Sequence, residues 1–112
     1  MVSAILPWPP KELSPNARVH WTVQRKKSKI YKESCYWQFR AASFFPFTET
    51  RHFKIDFCPP DARKRDLDNM LASFKAGIDG LALCLGVDDS EFQFTISKAP
   101  PVKGGAVRVE AI

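Results

Sequence analysis

The sequence of 112 residues lacks most of the features that mark membrane, secreted or nucleotide-hydrolysing proteins. No apolar run approaches the ~18 residues that a membrane span requires. The opening MVSAILPWPP has no cationic segment followed by a long apolar core, so no secretory leader is expected, and the cytoplasm is the expected location. Three cysteines, Cys35, Cys58 and Cys84, are odd in number, far apart and outside any CxxC pair; they suggest neither a disulfide framework nor a zinc site and read as reduced filler. A Walker A loop, a GxSxG elbow and an HExxH helix are all missing, which leaves hydrolysis by serine or zinc with little support. His20 and His52 stand apart without partners at ligand spacing and read as structural or surface histidines. There is no internal repeat and no low-complexity segment, and a chain of this length holds one domain, 1–112.

What the chain does have is positive charge, unevenly placed. The net charge is +5, but residues 1–54 hold ten Lys and Arg against three acids, a balance of +7, and residues 55–112 hold seven against nine, a balance of −2. A basic body with a local carboxylate cluster suits a protein that holds a polyanion and brings a metal ion to it.

The pattern of elements predicts a mixed α/β domain. VSAIL reads as a short strand closed by PWPP. Over 24–44, Ile30, Trp37, Ala41 and Phe44 recur as a loose helical stripe, with Arg25, Lys26, Lys29, Lys32 and Arg40 on the other side. RHFKIDF alternates through Phe53, Ile55 and Phe57 as a half-buried strand. Met70, Leu71, Phe74, Ile78, Leu81 and Leu85 predict a second helix over 67–83, weakened by Gly77 and Gly80. EFQFTIS and AVRVEAI alternate again and are expected to close the chain as an antiparallel hairpin. The expected architecture is therefore a mixed sheet of about four strands with two helices packed on one face.

The chemistry concentrates in PPDARKRDLDNML. Asp66 and Asp68 stand directly behind Arg63, Lys64 and Arg65, at the start of the second helix. Residues two apart share a side in an extended chain but not in a helix, so these carboxylates converge only if the helix starts at or after Asp68. Helix capping needs only one of them. The plainer reading makes one aspartate a cap and the other solvated loop. An EF-hand is excluded, because Leu71 and Gly77 stand where its loop needs Gly and Glu. Asp88 and Asp89 sit in the turn after the same helix, so two carboxylate pairs bracket one element beside three cations. Hard oxygen ligands from two elements are what Mg²⁺ takes, with waters and substrate phosphates completing its octahedron.

LPWPP, PDARKRDLDNML, GVDDSEF and KAPPVKGG before a last strand resemble, in this order and spacing, the RusA family of Holliday-junction resolvases, small phage and prophage endonucleases. The similarity covers the first ten residues and 53–112 and is loose over 11–50. It implies a homodimeric, Mg²⁺-dependent enzyme of DNA recombination and repair that nicks four-way junction DNA symmetrically and takes no small-molecule substrate. Asp66, Asp68 and Asp89 match the essential metal-binding carboxylates, and Arg65 matches the basic residue expected to contact DNA. A family lysine one turn beyond the second aspartate falls here on Ala72. Lys75, seven residues after Asp68 and close to two turns along, is the candidate to serve that face. The DNA-contacting set is completed by Arg63, Lys64, Lys26, Lys29 and Lys103. Two other readings stay open: a non-catalytic nucleic-acid-binding module with Trp8 or Trp21 as stacking platforms, and a metal-dependent nuclease for other branched DNA.

Overall fold

A computed structural model of the chain describes residues 2–112. The strands are β1 (Ser3–Pro7), β2 (His52–Cys58), β3 (Gln93–Lys98) and β4 (Ala106–Ala111), and the helical segments are α1 (Trp21–Ala41), α2 (Phe44–Phe47), α3 (Leu67–Ser73) and α4 (Lys75–Leu85). They form one four-stranded mixed sheet in the order β1-β4-β2-β3.

The expected terminal hairpin does not form. β4 inserts between β1 and β2, antiparallel to both, while β3 pairs parallel to β2 at the edge. The alternation explains the exchange. Val107 and Val109 are completely buried, as a central strand demands, whereas Phe94 and Ile96 of β3 are only half-buried. The parallel β2–β3 pair needs a crossover, which α3 and α4 supply.

Four helical segments replace the two expected. The second predicted helix breaks at Phe74, whose buried ring packs edge-on against Tyr31 and Phe57. Gly77 and Gly80, which the sequence offers as weak points, are instead required by close approach. A Cβ on Gly77 would lie 2.3 Å from the Phe74 ring, and one on Gly80 would lie 2.8 Å from the Lys32 carbonyl oxygen on α1. The two helices meet backbone to backbone at Gly80.

The helical layer covers the sheet face that carries Phe53, Ile55, Phe57, Val107 and Val109, all fully buried. α1 contributes Tyr31, Cys35 and Phe39 to this core, so its inner face is not the stripe read from the sequence. Ile30 and Trp37 lie on its outer face, exposed. Tyr31 donates to the Pro7 carbonyl at 2.5 Å, tying α1 to the end of β1. The three cysteines are free; burial pushes the Cys35 thiol up to about 12, out of the reactive range. On the opposite sheet face Asp56, only 5% exposed, accepts from Ser97 Oγ and from Arg108 at 2.7 Å. Burial alone would raise its pKa, but these hydrogen bonds hold it below the usual carboxylate range.

Candidate functional site

The loop entering α3 is organised by Asp61. Its carboxylate accepts from the Arg63 backbone N–H at 3.0 Å, from Arg63 Nε and an Arg63 terminal nitrogen at 3.1 and 2.9 Å, and from an Arg65 terminal nitrogen at 2.8 Å. Both arginines depress its pKa, Arg63 most strongly. Arg65 also lies over the Trp8 ring, 5.9 Å from its centroid, and Trp8 in turn packs edge-on against Phe57. Trp8 is therefore a half-buried brace for the arginine rather than an open stacking platform. Asp61 stands in the PPDARKRDLDNML run but is not among the carboxylates that the sequence singles out. Its spacing of two and four residues from two arginines is the signal that could have found it.

Asp66 occupies the N-cap position of α3 in an extended conformation, yet its carboxylate makes no capping hydrogen bond. Its one side-chain contact is a long 3.5 Å approach from Asn69 Nδ2. The plainer reading of this aspartate as a helix cap thus fails in its defining contact. Asp68 lies in the first turn and accepts from the Asn69 backbone N–H at 3.0 Å.

Across the fold, Asp88 and Asp89 separate by task. Asp88 caps a short 3₁₀ turn (Asp89–Glu91) by accepting from the Ser90 N–H at 2.9 Å, which lowers its pKa. Asp89 instead receives Lys75 Nζ, and Lys75 also donates to Asp79 Oδ1 at 3.0 Å. The hydrogen bond to Asp89 is the main cause of a raised Lys75 pKa, so the ammonium is charged throughout the neutral range.

Asp68, Lys75 and Asp89 line one cavity of about 500 Å³, floored by Leu71, Ile78 and Phe94. Asp66 lines a different one, of about 550 Å³, with Trp8, Lys11, Lys64, Arg65 and Asn69. The fold thus brings Asp68, Asp89 and Lys75 together and sets Asp66 in a separate cavity among Lys11, Lys64 and Arg65, so the expected convergence of all three carboxylates on one site does not appear. Hard carboxylate oxygens, two of them on one cavity, match the donor chemistry of Mg²⁺, which commonly takes one or two carboxylates. Among the described residues no three His, Cys, Asp or Glu side chains are grouped closely enough to hold a metal ion by themselves.

The cations divide in the same way. Arg25 shares a cavity with Lys75 and Asp79, and Lys32 lines one with Asp79, Asp88 and Asp89. Seven residues apart, they project from one side of α1. Lys26 and Lys29 are exposed on other sides of α1, Arg63 and Lys64 are exposed in the Asp61 loop, and Lys103 is exposed in the turn before β4. Trp21 is exposed, with Arg25 over its ring at 5.5 Å. No helix among the described residues is long and apolar enough to cross a membrane.

No family model matches the chain. Over 96 residues it is 44% identical to a protein of Xylella fastidiosa (strain Temecula1 / ATCC 700964) that carries only the name "Uncharacterized protein". The match covers 82% of this chain and 63% of that relative, so the chain spans less than two thirds of the relative's length.

Proposed function

We propose that the chain is a Mg²⁺-dependent, structure-selective endodeoxyribonuclease of the RusA type, a cytoplasmic homodimer that resolves four-way DNA junctions by paired nicks. The observation that carries this reading is the cavity shared by Asp68, Asp89 and Lys75. The Asp66 carboxylate, uncommitted as a cap and adjoining Lys64 and Arg65, supports it.

In this mechanism Lys11, Lys64 and Arg65, which line a cavity with Asp66, grip the phosphate backbone. Asp68 and Asp89, which line one cavity, are the residues that would hold Mg²⁺ together with waters and substrate oxygens, and the ion would supply Lewis-acid polarisation of the phosphate and a more acidic water; Asp66 lines a separate cavity. One of the two carboxylates would orient the attacking water for in-line displacement. Lys75, placed between Asp79 and Asp89, offsets the charge that accumulates on the phosphate oxygens in the transition state.

The exposed pair of Trp21 and Arg25 favours a second reading, a module that binds single strands by stacking without cutting them. A synthetic four-way junction incubated with the protein, with and without Mg²⁺, separates the two. Paired, Mg²⁺-dependent nicks at the junction with linear duplex left intact are expected. Equal cutting of both substrates, or preference for flaps, removes the junction assignment; metal-dependent scission of nothing leaves the binding module.

A further inference from the structure

The cavity that holds Asp66 has features that a grip on backbone phosphates does not need. Its volume of about 550 Å³ falls in the ~300–1,000 Å³ range of small-molecule sites. Trp8 in its lining is held rigidly. The indole packs edge-on against Phe57, carries the Arg65 guanidinium over its ring, and lies so close to Gly105 that a Cβ there would be 2.8 Å from the Trp8 Cβ. Pro9 and Met70, both buried, add apolar surface to the same lining.

Arg65 is fixed in place but not used up. Every hydrogen bond it makes runs through one terminal nitrogen, to the Asp61 carboxylate at 2.8 Å and to the Asp61 and Arg63 carbonyls at 3.2 and 3.3 Å. Its Nε and second terminal nitrogen have no partner among the described residues, which leaves one edge of the fork free for an anion. Lys11, Lys64 and Arg65 against Asp66 give the lining a balance of +2. One phosphate monoester of about −2 matches that charge, and a di- or triphosphate exceeds it.

Two carboxamides complete the lining. Asn16 donates only through its backbone, to Ser14 Oγ at 3.3 Å, and its side chain has no partner among the described residues. The Asn69 carboxamide has only the 3.5 Å approach to Asp66. Each presents a donor and an acceptor side by side, the pattern that pairs with the edge of a nucleobase. A bare phosphate has no use for either.

We propose that this cavity is a mononucleotide pocket, which takes one unstacked nucleotide with its phosphate on the free edge of Arg65 and its base against Trp8, read by Asn16 and Asn69. The nucleotide has two possible sources, a free mononucleotide or a residue extruded from DNA beside a branch point. The pocket deepens the proposed function, and only its DNA source rests on that reading. It is distinct from the cavity of Asp68, Asp89 and Lys75, so occupancy and cleavage are measured separately.

Titration calorimetry of the full chain with the four deoxynucleoside 5′-monophosphates, the matching nucleosides and inorganic phosphate tests the pocket itself. At least one monophosphate should bind about tenfold or more tighter than its nucleoside and than phosphate. Asn16→Ala and Asn69→Ala should each weaken it about tenfold, the scale of a lost hydrogen bond. In the wild type the side-chain amide signals of both asparagines should shift in nitrogen-correlated NMR spectra during the titration. Asn16→Trp, at an exposed position, should fill the cavity and abolish binding with an unchanged circular dichroism spectrum.

A four-way junction carrying 2-aminopurine beside the branch point, bound without divalent metal, reads the DNA source. A fluorescence rise with wild type that Asn16→Trp loses assigns the pocket to an extruded nucleotide; monophosphate binding with a silent junction assigns it to free nucleotides. Phosphate binding as tightly as any monophosphate overturns the proposal. So does monophosphate binding indifferent to all three variants, or no response in either arm. Nucleotide binding by a chain that cuts no junction would remove the proposed function and leave the pocket standing; junction nicking with no response in either arm would do the reverse.

Discussion

The ammonium of Lys75 meets the carboxylate of Asp89 across fourteen residues of chain, joining the first turn of α4 to the turn that follows the helix. Asp79, one helical turn along from Lys75, holds the same ammonium from the other side. Lys75 is thus shared between an acid on its own helix and an acid on the cavity wall. A cation or phosphate entering the cavity can take Asp89 or Lys75 respectively while Asp79 keeps the lysine in place.

Lys75→Met should lower Mg²⁺-dependent cleavage by about 100-fold, the usual scale for a lost charge-stabilising donor, with junction affinity changed by less than threefold. Asp79→Asn should cost a smaller factor, restored in part by Asp79→Glu, because Asp79 positions the lysine without touching substrate. Single-turnover cleavage rates and gel-shift affinities measured side by side distinguish the two. Equal losses in both variants would put Asp79 in the reaction itself.

Asp68→Asn should abolish cleavage, preserve junction binding and leave the melting temperature unchanged or raised, since it removes one of the like charges on the cavity. Asp89→Asn should abolish cleavage too, but without gain in stability, because it also breaks the contact with Lys75. That exposed pair is worth at most about 1 kcal/mol. Calorimetry of both variants beside the cleavage assay checks the contrast; a Asp68→Asn protein that loses binding in parallel would be a folding mutant.

Asp61→Ala should free Arg63 and Arg65 from the geometry that its carboxylate imposes. Junction affinity should fall severalfold, although the substitution removes a negative charge next to the DNA. A tighter complex would mean that Asp61 merely neutralises the arginines. Titrations at two or more salt concentrations decide, since phosphate contacts set the salt slope.

The pH dependence of stability should carry the signature of Asp56. Its pKa is lower in the fold than in the unfolded chain. Its contribution is therefore present above the unfolded pKa of ~3.9 and is lost as pH falls through the lower folded value. Asp56→Asn should cost about 2 kcal/mol at pH 7, the worth of hydrogen bonds to a charged group. The deficit should begin to shrink below about pH 4, where the carboxyl of the unfolded chain protonates, and be lost as pH falls through the lower folded value. Melting temperatures from pH 2 to 7 test this, and a deficit that stays constant with pH excludes the assigned cause.

Gly80→Ala should destabilise the fold by about 1–3 kcal/mol, as overpacking does, because the added carbon meets the backbone of α1. Thermal melts check it. A neutral effect would mean that α1 and α4 separate without cost.

Much of the fold was legible in local pattern. The four strands, the alternation of Phe53, Ile55 and Phe57, and the buried run of Met70, Phe74, Ile78, Leu81 and Leu85 follow from side-chain periodicity, which depends only on neighbours in the chain. Two inferences failed for a common reason. The hairpin of β3 and β4 was expected from adjacency, and the outward stripe of α1 looked like a core face because apolar spacing carries no direction. Periodicity reports that a face exists; what it faces is set by the rest of the molecule. Gly77 and Gly80 show the same limit, since a residue that weakens an isolated helix is required where another backbone or ring approaches it.

Residue types and their spacing set the chemistry available to this protein: a carboxylate pair behind a basic run at the mouth of one helix, a second pair at its far end, and an excess of positive charge along the first half. Tertiary structure alone decided which of these meet. Folding of α3 and α4 between β2 and β3 brings Asp68, Lys75 and Asp89 to one cavity, turns Asp88 into a cap, and leaves Asp66 in a separate cavity among Lys11, Lys64 and Arg65. The physical reason is that electrostatic and coordinating interactions act within a few ångströms in space, and distances of that kind between residues fourteen or more apart in the chain are set by packing of the core.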